Sequence, residues 1–267
     1  MYLFFCVFVI ILMGSDFMLI DTHLHLVNEG YNIEEVIKNA KLVGVDYLIV
    51  SGSDLIDNKL NIELLKYDNI FLSVGFHPSS VSEIGEDDFL FLENTIKNNK
   101  RVVAVGEIGL DYHYGSDNKD AQIALFRRQL DIALKYDLPV VIHTRDAFLD
   151  TYNILKEYDV KGVIHCFSGS LEVAKMFMSL GFYLGIGGVV TFSNSKLKDV
   201  VKEIGLDKIV LETDSPYLSP LRGKRNEPCN VRLICDYIAK LLEIDVSQVE
   251  KITSCNADRL FDLNVDL

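Results

Sequence analysis

Short apolar runs rich in Val, Ile and Leu recur along the chain, separated by longer stretches in which apolar residues return with helical spacing. The first pattern belongs to strands buried on both faces, and the second to helices that lay one face on a sheet. The runs predict strands over Leu19–Leu24, Tyr47–Ser51, Ile70–Val74, Val102–Gly106, Val140–Ile142, Gly162–Ile164, Phe182–Ile186 and Lys208–Leu211. Between them the spacing predicts helices over Ile33–Val43, Asp87–Asn98, Lys119–Tyr136, Ala147–Glu157, Leu171–Leu180 and Ser195–Ile204, each long enough for a crossover between parallel strands. Val231–Leu242 and Ser247–Leu260 predict closing helices, with Asn256–Phe261 seated against the wall of the sheet. Strand followed by helix, repeated without an all-helical or all-β block, predicts an α/β protein, a closed (β/α)8 TIM barrel.

A chain of 267 residues, 49% hydrophobic and with only 5 Pro, suits one such domain, and no linker or internal repeat interrupts it. The domain is expected over residues 18–267, because Met18-Leu19-Ile20-Asp21 begins like a first strand. Residues 1–17 are expected to be an apolar extension outside the fold. They carry no basic n-region or clear cleavage site, and the apolar part is short for a bilayer span, so no stable membrane partner is expected. The formal net charge of −13 excludes a broad basic face that coats nucleic acid, and any such contact must be local. The five cysteines, Cys6, Cys166, Cys229, Cys235 and Cys255, form no framework spacing, and a cytoplasmic location is expected.

Candidate chemistry sits at the ends of the predicted strands. In Asp21-Thr22-His23-Leu24-His25, strand alternation aims both imidazoles to one side, the lumen of a barrel. Glu107, His143, His165 and Asp214 each follow an apolar run, so four imidazoles and two carboxylates converge on one rim. Such groups interrupt a buried strand at a cost that metal coordination offsets. The mixture suits two divalent cations, Zn²⁺, Mn²⁺ or Mg²⁺, because six donors exceed what one tetrahedral ion needs. Glu107, with two oxygens and a central place in the strand order, is the natural bridge. Cys166, beside His165 on an apparent strand, is expected to be a buried thiol rather than a ligand.

These motifs resemble the TatD family of metal-dependent deoxyribonucleases, within the amidohydrolase-like barrels. The resemblance rests on Asp21-Thr22-His23-Leu24-His25, Gly75-Phe76-His77-Pro78, Gly106-Glu107-Ile108-Gly109-Leu110-Asp111-Tyr112, His143-Thr144-Arg145-Asp146-Ala147, His165-Cys166-Phe167-Ser168-Gly169, Glu212-Thr213-Asp214-Ser215-Pro216-Tyr217 and Arg225-Asn226-Glu227-Pro228. It implies a two-metal site with His23, His25, Glu107 and Asp214 on one ion and Glu107, His143 and His165 on the other. It also implies that Asp214 and Glu107 are catalytic, with Asp214 as proton acceptor, and that DNA is the partner, cleaved at its phosphodiester bonds. The alternatives are hydrolysis of a small amide or cyclic C–N substrate, and a non-catalytic metal-binding interaction protein.

For substrate contacts, His77 and Arg145 are candidates, with Arg222, Lys224 and Arg225 as a local basic lip for phosphate. For Arg225 an ion pair that ties its loop down is the competing expectation. Gly185-Ile186-Gly187-Gly188 either offers backbone amides to phosphate or permits a tight turn. His113 is expected to be an ordinary loop residue.

Overall fold

Leu48, Ile49 and Val50 have no exposed surface, although successive side chains of a strand point to opposite faces. Both faces of the sheet are therefore covered, as continuous apolar runs require. The computed structural model describes residues 18–265 apart from Asn28, Tyr114 and Ser116, so the extension expected over residues 1–17 lies outside the described residues. Strands β1 (Leu19–Leu24), β2 (Val45–Ser51), β3 (Ile70–Val74), β4 (Val102–Asp111), β5 (Val140–Arg145), β6 (Gly162–Ile164), β7 (Tyr183–Ile186) and β8 (Ile209–Leu211) form one parallel sheet in sequence order. The crossovers carry α1 (Ile33–Leu42), α2 (Leu55–Ile62), α3 (Glu86–Asn98), α4 (Lys119–Tyr136), α5 (Phe148–Leu155), α6 (Leu171–Ser179) and α7 (Leu197–Ile204), and α8 (Val231–Leu242) and α9 (Val246–Phe261) end the fold. This is the TIM barrel that the alternation predicts. No helix among the described residues is long and apolar enough to cross a membrane.

Two apolar layers hold it. The larger fills the space between the strands and the surrounding helices. The smaller joins Ile20, Ile49, Phe71, Val103, Val141, Val163, Tyr183 and Val210, one from each strand, to Leu260 and Phe261 of α9. The last helix therefore plugs the floor of the barrel as well as packing on its wall. Asn256 fixes it there, donating from Nδ2 to the carbonyls of Leu206 and Ile209, each at 2.8 Å.

Three departures from the sequence reading matter for the site. The helix α2 is absent from the apolar spacing because its buried face includes Asn58 and Asn61. Asn58 Nδ2 donates to the carbonyls of Asp54 and Gly75, both at 2.6 Å, which ties α2 to the end of β3. Strands β4 and β5 also run further than expected, to Asp111 and Arg145. The pairing of β4 with β5 shifts register between Val105 and Ile108, then continues through Gly109–His143 to Asp111–Arg145. Glu107 and His143 thus lie inside paired strands, not beyond their ends, and the ladder on either side restricts their movement.

The eighth joint of the barrel is built differently from the other seven. Beyond a single parallel bridge between Leu24 and Ser215, β1 meets the segment after β8 through individual hydrogen bonds. Asp214 N donates to His23 O at 3.0 Å and His25 N to Ser215 O at 2.8 Å. The Asp21 carboxylate accepts from Thr213 N at 2.9 Å and from Thr213 Oγ1 at 2.6 Å.

Candidate metal centre

His23 and His25 place their Nε2 atoms 3.3 Å apart at the C-terminal mouth of the barrel. His25 Nδ1 lies 3.2 Å from the carbonyl oxygen of Ser51, which can only accept, so the proton sits on Nδ1 and Nε2 presents its lone pair. Ser51 Oγ, 3.0 Å from His23 Nδ1, can accept from the same tautomer of His23. Glu107 Oε2 lies 3.5 and 3.7 Å from these two Nε2 atoms, and Asp214 Oδ1 lies 3.7 and 3.8 Å from them. A tetrahedral ion with bonds of about 2.1 Å keeps its ligand atoms roughly 3.4 Å apart. His23, His25 and Glu107 have close to that spacing, Asp214 stands at a similar distance from both imidazoles, and the chemistry of these donors suits a first-row divalent ion.

The other oxygen of Glu107 faces a second group. Oε1 lies 2.9 Å from His143 Nδ1 and 2.7 Å from His165 Nε2, and those nitrogens are 3.3 Å apart. The His143 Nε2 atom lies 3.0 Å from Asp111 Oδ2, so a neutral ring donates its Nε2–H to Asp111 and turns the Nδ1 lone pair toward Glu107. Two acceptors this close require positive charge between them, from protons or from a cation. Without a cation the protein supplies protons. Burial alone pushes the Glu107 carboxyl up, yet His165, His143 and His23 outweigh it and hold Glu107 well below its ordinary value. Burial lowers His165, but Glu107 overrides it and raises the imidazole to about 9. His23, fully buried, is driven down to about 3 by burial, and burial raises Asp214. The His165 donor also lies within 4.8 Å of those of His23 and Asp214, so the two groups are contiguous.

His77, Asp111 and His143 make a further cluster with ligand-like spacing. His77 Nδ1 accepts from Ser79 N at 3.1 Å, however, so its neutral ring keeps the proton on Nε2. That atom points at Glu107 Oε1 from 3.7 Å. Burial lowers the His77 pKa to about 4, which keeps the ring neutral and makes Nε2–H a donor into the site rather than a ligand.

Several residues of the centre were not singled out by sequence. Asp111 orients His143, and strand alternation from Glu107 would place both on one face once β4 is read to its true end. Replacing Asp111 with Ala removes the group that fixes the His143 tautomer, and metal affinity is expected to fall about 10–100-fold. Equilibrium dialysis against a graded metal buffer measures this, and an unchanged affinity would exclude the orienting role. Glu212 is fully buried behind His165, with Oε1 accepting from Cys166 N and lying 3.8 Å from His165 Nδ1. Burial raises its pKa to about 8. Gly185 makes room for it, since a Cβ there would stand 2.1 Å from Glu212 Oε2. Gly188 similarly accommodates the Leu218 carbonyl, so close packing alone requires glycine at these two positions.

A cleft of about 920 Å³ opens above the centre. Its lining includes His25, Glu107, His143, His165 and Asp214 together with His77 and Arg145. Arg145 stands two residues beyond His143 on β5. Cys166 also lines the cleft, its backbone in the left-handed region at φ 47°, and burial raises its thiol pKa well above the ordinary value. It belongs to the turn after β6, not to the strand. Arg222, Lys224 and Arg225 are exposed and do not line the cleft. Arg225 packs its guanidinium 3.7 Å from the Tyr31 ring centroid and pairs with Glu29, which is the loop-tying contact. His113 lies at an exposed position, 3.0 Å from Asp146.

A parallel barrel with imidazoles and carboxylates gathered at the C-terminal mouth defines the class of metal-dependent barrel hydrolases. The family model described as TatD related DNase matches residues 20–262. A Bacillus subtilis (strain 168) protein described as uncharacterized metal-dependent hydrolase YabD is 43% identical over 256 residues, covering 92% of this chain and 100% of its own. The likewise described YcfH of Escherichia coli (strain K12) is 34% identical over 258 residues, covering 92% of this chain and 96% of its own. Among solved structures, the TatD homologue YjjV from Escherichia coli K12 superposes with a TM-score of 0.86 at 30% identity, over 92% of this chain and 98% of that one. The chain belongs to the TatD family of metal-dependent hydrolases.

Proposed function

We propose that this protein is a deoxyribonuclease that hydrolyses DNA phosphodiester bonds with two divalent cations at the centre described above. The observation that carries the reading is the Glu107 carboxylate, which turns Oε2 to His23 and His25 and Oε1 to His143 and His165. One ion would be held by His23, His25, Glu107 and Asp214, and the other by Glu107, His143 and His165. Bound there, divalent cations supply Lewis acidity toward the phosphoryl group and lower the pKa of water to near neutrality.

The side chains account for the remaining steps. Asp214 accepts the proton of the attacking water as its oxygen bonds to phosphorus and the opposite P–O bond breaks. His77 offers its Nε2–H to a phosphoryl oxygen, because Ser79 N–H occupies the other ring nitrogen. Arg145 is the one Lys or Arg side chain that lines the cleft among the described residues, and it would steer phosphate to the β4–β5 side. The family description, TatD related DNase, supports DNA as the substrate class.

Exhaustive chelation is expected to abolish cleavage of labelled single-stranded and duplex oligonucleotides, and added Mn²⁺, Mg²⁺ or Zn²⁺ to restore it. Elemental analysis on the same preparation verifies removal. Full activity in protein shown to be metal-free would overturn the reading.

A further inference from the structure

The segment that follows Asp214 carries an exposed ring that the chemistry above does not use. Tyr217 is 54% exposed and Leu218 40% exposed, although both line the cleft over the centre. Half-buried Val189, from the loop after β7, lines it beside them. The ring of Tyr217 stands edge-on to His25, with centroids 6.3 Å apart. An apolar shelf therefore begins where the candidate ligands end.

The shelf is held in place. Tyr217 N donates to Asp214 O at 2.8 Å, and Asn226 Nδ2 donates to both Thr213 O and Tyr217 O at 2.7 Å. Gly188 packs so closely on the Leu218 carbonyl that a Cβ at that position would stand 2.1 Å from it. The Tyr217 hydroxyl lies 3.4 Å from Glu29 Oε1. A ring carried on a backbone held in this way costs less to position when a flat ligand covers it.

Charge selects what covers it. The cleft carries Arg145 on its β4–β5 side, whereas Glu29, from the loop after β1, and Asp57, from the first turn of α2, line the opposite part. A phosphate is drawn to Arg145 and finds no comparable cation beside Tyr217 among the described residues that line the cleft. An uncharged, planar group is the one that best complements the exposed Tyr217 ring there. Resting on the deoxyribonuclease reading, we propose that Tyr217, with Leu218 and Val189, forms a nucleobase subsite on which a base flanking the scissile phosphate stacks. Base–aromatic stacking tolerates any base because each has a π-face, so the subsite favours nucleotides over other phosphodiesters without selecting sequence.

The test compares Tyr217→Ala and Tyr217→Phe with the wild type on two single-stranded DNA decamers. One decamer is unmodified, and the other carries base-free spacers flanking the bond that the wild type cuts. On the unmodified strand, kcat/KM of Tyr217→Ala is expected to fall roughly 5–100-fold, chiefly through KM. On the base-free strand the penalty should shrink to about twofold, since the ring then has nothing to stack on. Tyr217→Phe should recover most of the loss, because the ring stacks and the hydroxyl does not. Binding of a strand labelled with 2-aminopurine to metal-free protein gives a readout apart from turnover: the wild type and Tyr217→Phe should quench its fluorescence and Tyr217→Ala should not. Equal losses on both strands, or a Tyr217→Phe variant as impaired as Tyr217→Ala, would overturn the subsite while leaving the nuclease reading intact. A metal-loaded wild type inert on both strands would overturn the nuclease reading, and the subsite with it.

Discussion

Glu107→Ala is expected to lower turnover by at least ~10²-fold and to reduce the metal retained by the protein. The carboxylate is 4% exposed and reaches both donor groups. Its loss leaves His23 and His25 with Asp214 on one side, and His143 with His165 on the other, with nothing to couple them. In the metal-free variant the His165 imidazole should also lose the largest of the contributions that raise it against burial, since Glu107 precedes Glu212 and Asp214 among them. Elemental analysis and oligonucleotide cleavage on one preparation test this. A variant with both metals and near-normal turnover would show that Glu107 is not the bridge.

Asp214→Asn separates two duties of one side chain. The amide keeps an oxygen able to coordinate but removes the proton acceptor and a negative charge. A fall in kcat of about 10²–10⁴-fold, with metal content and KM little altered, is the expected result. Loss of one metal would make Asp214 chiefly a ligand. Near-normal kcat with both metals present would assign proton acceptance elsewhere.

How much of this was legible in the sequence follows from desolvation. His23, Glu107, His165 and Asp214 stand out because each ends or interrupts an apolar run, where a polar group is costly unless something compensates. Asp111 is harder to see because the apolar run of β4 ends at Gly106, and the register shift that carries the strand past Glu107 leaves no mark in apolar spacing. Helix α2 escapes for the opposite reason, since Asn58 and Asn61 occupy buried positions that the eye reserves for Leu or Val. The arginines after β8 were legible as charges but not as directions. Nothing local says that Arg225 turns toward Tyr31 and Glu29 while Arg145, on a strand, lines the cleft. Tyr217 was visible only as part of a motif, because exposure depends on what the rest of the chain does not cover.

The eighth joint of the barrel gives the protein an unusual economy. Seven joints are knit by backbone ladders that tolerate many side chains, but this one depends on Asp21, Thr213 and the stretch from Asp214 to Ser215. The same few residues that latch the cylinder shut also aim the donors of its mouth. A substitution at Thr213 therefore cannot be sorted cleanly into one that weakens the fold or one that slows the chemistry. Selection for a sturdier barrel and selection for a faster centre act there on the same atoms, and a change that relaxes the latch detunes the centre with it.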